Sequence, residues 1–538
     1  MDLPAGPAAA SDDLIRRLAE LNQIGVALSQ EEDLDRLLEI ILVAAKKITN
    51  ADGGTLYRRP ADNKNTLRFE IIRTDSLGIA MGGTTGVKIP YPPIQLRDSR
   101  GRDNTSMVVA YAVLKDRTVA IADAYQEKGF DFSGTKAFDR HTGYRSQSFL
   151  TVPMKNHEDE IIGVLQLINA QDRATGQIVA FTETDQRLAE SLASQAAVAL
   201  TNRLLIVQLE NLFESFVGLL NKAIDEKSPY TGGHCHRVPV LTMLLAEAVH
   251  ESQAGPHALW HMTDLDRYEL KIAALLHDCG KVTTPVHVVD KATKLQTIYD
   301  RIDLIDTRFE VLKRDAELLA LRAGDTAGMS ARLAEIDADR AFLRTCNTGG
   351  EAMSAADQER VRGIAKKYRW RNPAGLEADF LTADEIENLT VRAGTLTAAE
   401  RQVINHHVNV TIQMLEALPW PRHLQNVPEY AGGHHEKMDG TGYPRGLKGD
   451  QMSVQARIMG IADIFEALTA KDRPYKPGKT LTESLQILGQ MRVNGHIDPD
   501  LFDIFVRGRV YERYAKEFMD PAQVDDVDVT KIPGYSGE

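Results

Sequence analysis

Cysteine is scarce in this chain: Cys235, Cys279 and Cys346 are the three among 538 residues. An odd count without a closely spaced pair excludes a disulfide scaffold and fits a reducing compartment. A basic excess is also missing. Lys and Arg number 63 against 76 Asp and Glu, a formal net charge of −13, so nucleic-acid polymers are not expected as partners. A local basic pocket for a small phosphate ligand stays open. Met1 to Asp13 carries acids and no basic stretch ahead of an apolar one, so it does not read as a signal peptide. No uninterrupted apolar run approaches the roughly 20 residues that span a bilayer. These absences predict a soluble cytoplasmic protein with no membrane partner.

The remaining composition, 43% hydrophobic and 26% charged, excludes a disordered or collagen-like chain. At roughly 150 residues per domain the length predicts three to four domains, or two large ones with an addition. Histidine is the uneven residue: of 15, twelve lie between His234 and His435. The chemistry is therefore expected in the second half.

Residues 1–13 read as a disordered tail. Leu14 to Thr49 reads as two amphipathic helices. Short β-like runs follow at Gly54–Tyr57, Leu67–Arg73, Met107–Leu114 and Thr118–Ile121, and a hairpin of Ser148–Met154 and Ile161–Asn169 around a polar turn. Residues 14–200 thus predict an α+β domain, an antiparallel sheet flanked by helices. Over 186–227, Leu188, Leu192, Ala196, Leu200, Leu204, Val207, Leu212, Phe216 and Leu219 approximate an a/d seam. That length predicts a bridging helix that dimerises the chain. From Ser228 the pattern is helical, which predicts an all-α domain over 228–519. Residues 520–538 read as a loose acidic tail.

Leu270, Ala273, Ala274 and His277 share one helical face that runs into Asp278. A neutral imidazole beside a carboxylate suits a divalent metal, with the carboxylate able to bridge two ions. The pair alone is weak evidence. His407 shares a face with Val408, Thr411 and Leu415, and Asp463 a face with Ala456, Met459 and Ala467. Burying an isolated carboxylate is costly, so Asp463 must be paired or metal-bound. With His234, His434 and His435, five histidines and two aspartates suffice for two metals that keep water positions. No cysteine is needed, so structural zinc is not expected.

In order, His277-Asp278-x-Gly280-Lys281, His407, His434-His435-x-x-x-Asp439-Gly440-x-Gly442-Tyr443-Pro444, Asp463 and Arg473-Pro474-Tyr475-Lys476 resemble the HD-GYP branch of the HD phosphohydrolase superfamily. The resemblance spans about 215–295 and 394–510. It implies a metal-dependent phosphodiesterase that linearises cyclic di-GMP to pGpG and continues in some members to GMP. By resemblance, His234, His277, Asp278, His407, His434, His435 and Asp463 hold two divalent ions, iron or manganese, and Asp278 bridges them. Asp278 and Lys281 are the implied catalytic pair. Lys281, Gly440, Gly442, Tyr443, Arg473 and Lys476 are implied to bind substrate. Some members bind a third metal through a glutamate four residues before the first histidine; Tyr230 stands there, so two are expected. A long gap before His407 predicts a helical insertion at about 297–390, a hairpin.

Gly143 to Met154 followed by Ile162 to Asn169 resembles a GAF domain, over about 15–200. Such domains sense small molecules and dimerise. Asn169, Phe181 and Asp185 match the cyclic-nucleotide GAF pattern, whereas Ala170 and Gln186 depart from it. The resemblance therefore implies a sensor with a small-molecule ligand or a scaffold without one, within a homodimer. Three readings stay open: a GAF-regulated cyclic di-GMP phosphodiesterase, a hydrolase of another cyclic or phosphorylated guanosine nucleotide, and a non-catalytic cyclic di-GMP receptor.

Overall fold

The structure, a computed structural model, describes residues 7–228, 233–324, 326–350, 352–471, 478–535 and 537. The chain divides into two compact units, Met1–Leu212 and Phe213–Glu538.

The first unit opens on helices α1 (Pro7–Gln30) and α2 (Leu34–Thr49). Helix α1 corrects the expected disorder for residues 7–13: Pro7 suits the first helical turn, and Ala8 to Ala10 are the best helix formers. Residues 1–6 lie outside the described residues. Helix α2 begins where the Asp33 carboxylate accepts the Arg36 N–H at 2.7 Å and ends at Asn50, which adopts the left-handed conformation. Its stripe of Leu37, Leu38, Ile41, Leu42, Ala45 and Ile48 is buried.

The strands are β1 (Ala51–Arg58), β2 (Thr66–Thr74), β3 (Ile79–Gly82), β4 (Ile94–Gln95), β5 (Val119–Ile121), β6 (Phe149–Lys155), β7 (Ile161–Gln171) and β8 (Ile178–Val179). Helices α3 (Val108–Leu114) and α4 (Ser133–Thr142) interrupt them. The sheet order is β3-β2-β1-β7-β6-β5, with β4 beside β2 and β8 beside β7. The expected hairpin forms, with Val152 opposite Leu165. Helix α2 packs on β1, where a Cβ on Gly54 would fall 2.8 Å from Leu42 Cδ1. Met107–Leu114, read as a strand, is helix α3. A short β-branched run does not distinguish strand from buried helix by composition. Here Val108, Val109, Ala112 and Val113 bury one helical face.

Helix α5 (Glu183–Lys227) is 45 residues long. Leu188, Leu192, Ala193, Ala196 and Leu200 enter the core of the first unit, and Val217 and Ile224 that of the second. Leu209, Leu212, Phe216 and Leu219 are each more than half exposed. Contrary to the sequence expectation, this one helix is long and apolar enough, by length and composition, to cross a membrane.

The second unit contains α6 (His234–His250), α7 (Asp264–Leu276), α8 (Val286–Val289), α9 (Ile302–Ala323), α10 (Thr326–Asn347), α11 (Ala355–Lys367), α12 (Ala383–Leu389), α13 (Ala398–Glu416), α14 (Val427–Gly432), α15 (Val454–Thr469), α16 (Leu481–Val493), α17 (Pro499–Arg507) and α18 (Val510–Phe518). Val238, Leu241, Leu270, Ala273, Ile461 and Phe465 anchor its main core. Helices α9 and α10 turn at Gly324, at φ 69°. The insertion is more than that hairpin: it adds α11, α12 and the antiparallel pair β9 (Arg369–Arg371) and β10 (Glu377–Asp379). Its own core sets Phe309 edge-on to Phe380 at 4.5 Å between ring centroids, with Tyr368 beside both. The expected loose tail is instead packed where described: Ile532 is buried, and Gln523 Nε2 donates to Thr469 O and Lys479 O, both at 3.0 Å.

Candidate metal centre

Five segments deliver the site. His234 is the first residue of α6. The buried face of α7 ends in His277 and Asp278, and a short 3-10 turn, Cys279–Thr283, carries Lys281. That turn presses on α13: a Cβ on Gly280 would fall 2.1 Å from His407 O, and the Gly280 N–H donates to Thr411 Oγ1 at 3.0 Å. His407 lies on α13, His434 and His435 follow α14, and Asp463 lies on α15.

These residues form two triads. The donor atoms of His234, His277 and Asp278 lie within 4.8 Å of one another, and so do those of His407, His434 and His435. Asp278 stands between them. Its Oδ2 lies 3.2 Å from His234 Nε2 and 3.4 Å from His277 Nε2, while its Oδ1 lies 3.1 Å from His407 Nε2. Asp463 Oδ1 is 3.3 Å from His234 Nε2. Lys281 Nζ pairs with Asp278 Oδ2 at 2.5 Å.

The histidines are oriented from behind. His277 Nδ1 faces Ala274 O at 2.8 Å, His434 Nδ1 faces Ala431 O at 2.6 Å, and His407 Nδ1 faces Ile404 O. A carbonyl only accepts, so each Nδ1 carries the proton and each Nε2 presents a lone pair inward. His234 Nδ1 faces the Glu466 carboxylate, which also accepts from Arg237 Nε at 2.7 Å. The Nε2 atoms of His234, His277, His407 and His434, with Asp278 Oδ1, are buried without a hydrogen-bond partner. Orphaned acceptors converging in a buried pocket are costly unless a cation takes them. Two triads sharing one carboxylate fit a pair of divalent ions held by nitrogen and oxygen donors.

At His434 and His435 the electrostatics agree, whereas at His234 the carboxylates of Glu466, Asp278 and Asp463 outweigh burial and raise the imidazole well above its ordinary value. Burial would raise the Asp278 carboxyl, but the Lys281 ammonium beside it holds it well below the ordinary carboxylate value. Burial, reinforced by His435 and His277, pushes His434 well below an ordinary imidazole. Burial also pushes His435 down to about 4. Neutral imidazoles are the form that ligates a metal.

The substrate-side loop folds back on the second triad. Gly440 has φ +81°, and a Cβ on Gly442 would fall 2.5 Å from Lys437 N, so both positions require glycine. The Glu436 carboxylate accepts the N–H groups of Arg445 at 2.7 Å and Leu447 at 2.9 Å. Tyr443 lies against His435. Arg473, Lys476 and Tyr230 lie outside the described residues. Glu466, Arg237 and Glu436 escaped the sequence reading. Glu466 had a signal, since it follows Asp463 by three on the buried face of α15. A further cluster, His257, Asp498 and Asp500, is structural. Asp498 is neutralised by Arg457 and caps α17 through the N–H groups of Asp500 and Leu501.

Residues 33–200 match the GAF domain family, and residues 381–501 match the HD domain family. The chain carries a GAF domain and an HD domain. The HD match includes His407, His434, His435 and Asp463; His234, His277 and Asp278 lie upstream and are brought in by the fold. In the GAF domain, Asn169 Oδ1 accepts the Gln147 N–H at 2.7 Å, and Asp185 pairs with Arg17, so these residues are engaged within the scaffold.

The GAF–HD chain is 26% identical over 321 residues to a 3'3'-cGAMP-specific phosphodiesterase of Vibrio cholerae serotype O1, covering 60% of this chain and 43% of that protein. A second 3'3'-cGAMP-specific phosphodiesterase of that organism is 36% identical over 136 residues, 25% of this chain and 30% of that one. A cyclic di-GMP phosphodiesterase of Pseudomonas aeruginosa is 36% identical over 134 residues, 25% and 31% of the two chains. The chain spans less than half the length of these relatives.

Proposed function

We propose that this chain is a metal-dependent phosphodiesterase of the HD-GYP type that opens a cyclic dinucleotide. The observation that carries the reading is Asp278, which turns one oxygen to each histidine triad. His234, His277, Asp278 and Asp463 would hold one ion, and Asp278, His407, His434 and His435 the other, iron or manganese by donor type. Bound there, two divalent ions supply an acidified water and neutralise charge gathering on the phosphate. Asp278 keeps its anionic form, and Lys281 adds a cation beside it for the phosphate. The Gly440–Tyr443 loop shapes the substrate site. Arg473 and Lys476 are proposed to contact the ligand's phosphates.

The first substrate proposed is cyclic di-GMP, with pGpG and then GMP as products. A second, 3'3'-cGAMP, is favoured by the two Vibrio cholerae relatives that carry that name. Protein purified without oxygen and loaded with iron or manganese is expected to linearise at least one of the two. Binding of either nucleotide without turnover under those conditions overturns the enzymatic reading in favour of a receptor.

The GAF domain is proposed to regulate this site through α5. The exposed Leu209, Leu212, Phe216 and Leu219 follow a 3-4-3 spacing that suits a second copy of α5. Burial of Leu188, Leu192, Ala196 and Leu200 in the GAF core weighs against a membrane span, and the dimer is proposed to work in the cytoplasm.

A further inference from the structure

The five histidines are not held alike. At His234, His277, His407 and His434 a hydrogen bond at Nδ1 fixes the ring. At His435, among the described residues, none does. Its ring is tilted against His434 at 4.1 Å and edge-on to His407 at 5.3 Å, and its near-parallel neighbour is Tyr443, 4.8 Å between centroids and 24° between planes. The backbone reinforces this contact, because the Tyr443 N–H donates to His435 O at 3.3 Å. The loop is pinned in that position at two further points. Gly442 lies so close to Glu436 and Lys437 that a Cβ would fall 2.5 Å from Glu436 Cα. The Glu436 carboxylate receives the Arg445 and Leu447 N–H groups.

An imidazole without a hydrogen bond at its distal nitrogen can rotate about χ2, and its lone pair then leaves the metal. A stacked aromatic face restrains that rotation as a carbonyl does elsewhere. We propose that Tyr443 is a positioning residue for His435, so that the substrate loop forms part of the second ion's support. The inference rests on the metal reading above. It assigns the stack to the ring and not to the hydroxyl.

Metal content and affinity of the full-length protein test it directly. Wild type is expected to bind two equivalents of manganese. Tyr443→Phe keeps the ring and is expected to keep both equivalents at wild-type affinity. Tyr443→Leu is expected to weaken one equivalent about 10- to 100-fold and leave the other unchanged. Gly442→Ala, which displaces the loop and leaves the ring intact, is expected to do the same. Thermal melting separates a local loss from unfolding: a selective loss of one equivalent in a folded variant supports the proposal. Two wild-type equivalents in Tyr443→Leu overturn it, as does an equal loss in Tyr443→Phe. Fewer than two equivalents in wild type overturn the two-metal reading itself.

Discussion

At the residue scale the account turns on which atoms have partners. His277, His407 and Asp463 were legible because each shares a helical stripe with apolar neighbours, and Asp278, His434 and His435 because they stand in short local motifs. Glu466 was not, because its role exists only where α6 meets α15. There its carboxylate, fully buried, holds His234 Nδ1 and Arg237 together. Exchanging that carboxylate for an amide keeps the shape and removes the charge that fixes the His234 tautomer. Glu466→Gln is therefore expected to weaken the ion at His234 about 10- to 100-fold while the second equivalent holds, as read by metal titration.

At the element scale, α13 ties the insertion to the centre. The Thr397 side chain and Glu400 form a capping box at its N-terminus. Lys291, fully buried at its side chain, donates to both Glu400 oxygens at 2.8 Å and to Asn388 of α12 at 2.7 Å. Two turns further on, the same helix presents His407. Removing the buried ammonium leaves a mostly buried carboxylate unpaired. Lys291→Met is expected to cost about 2–3 kcal/mol in denaturant unfolding of the second unit. No change in midpoint would show that the pair contributes nothing. The sequence pattern revealed α9 and α10 through their periodicity. It read the insertion as a hairpin and did not foresee the further helices packed on it or the β9–β10 pair, because their residues are chiefly polar and their burial comes from packing around Phe309 and Phe380. Met107–Leu114 failed for the opposite reason, since an apolar β-branched run carries no period until it meets the sheet.

At the scale of the whole molecule, the net charge of −13 does not conflict with the proposed nucleotide substrate, because a cation stands locally at the site, on Lys281. The sequence changes from period-two to helical patterning near Phe181, whereas the two compact units divide between Leu212 and Phe213, inside α5. The surface of α5 was legible only in part. Its seam reads continuously in sequence, but the folded helix spends the first half on the GAF core, gives Val217 and Ile224 to the second core, and leaves Leu209, Leu212, Phe216 and Leu219 uncovered. A Leu212→Glu and Phe216→Glu double variant puts like charges on that stripe and is expected to shift the protein from dimer to monomer in sedimentation, with both units still folded. An unchanged sedimentation coefficient would place the dimer contact elsewhere.

The central claim is that Asp278 joins two metal groups into one hydrolytic centre. The most direct measurement is paired metal analysis and cyclic dinucleotide turnover on wild type and Asp278→Ala, prepared identically and both shown to be folded. Two equivalents with hydrolysis in wild type, and loss of metal and of hydrolysis together in the variant, is the predicted result. Turnover at the wild-type rate by Asp278→Ala would contradict it.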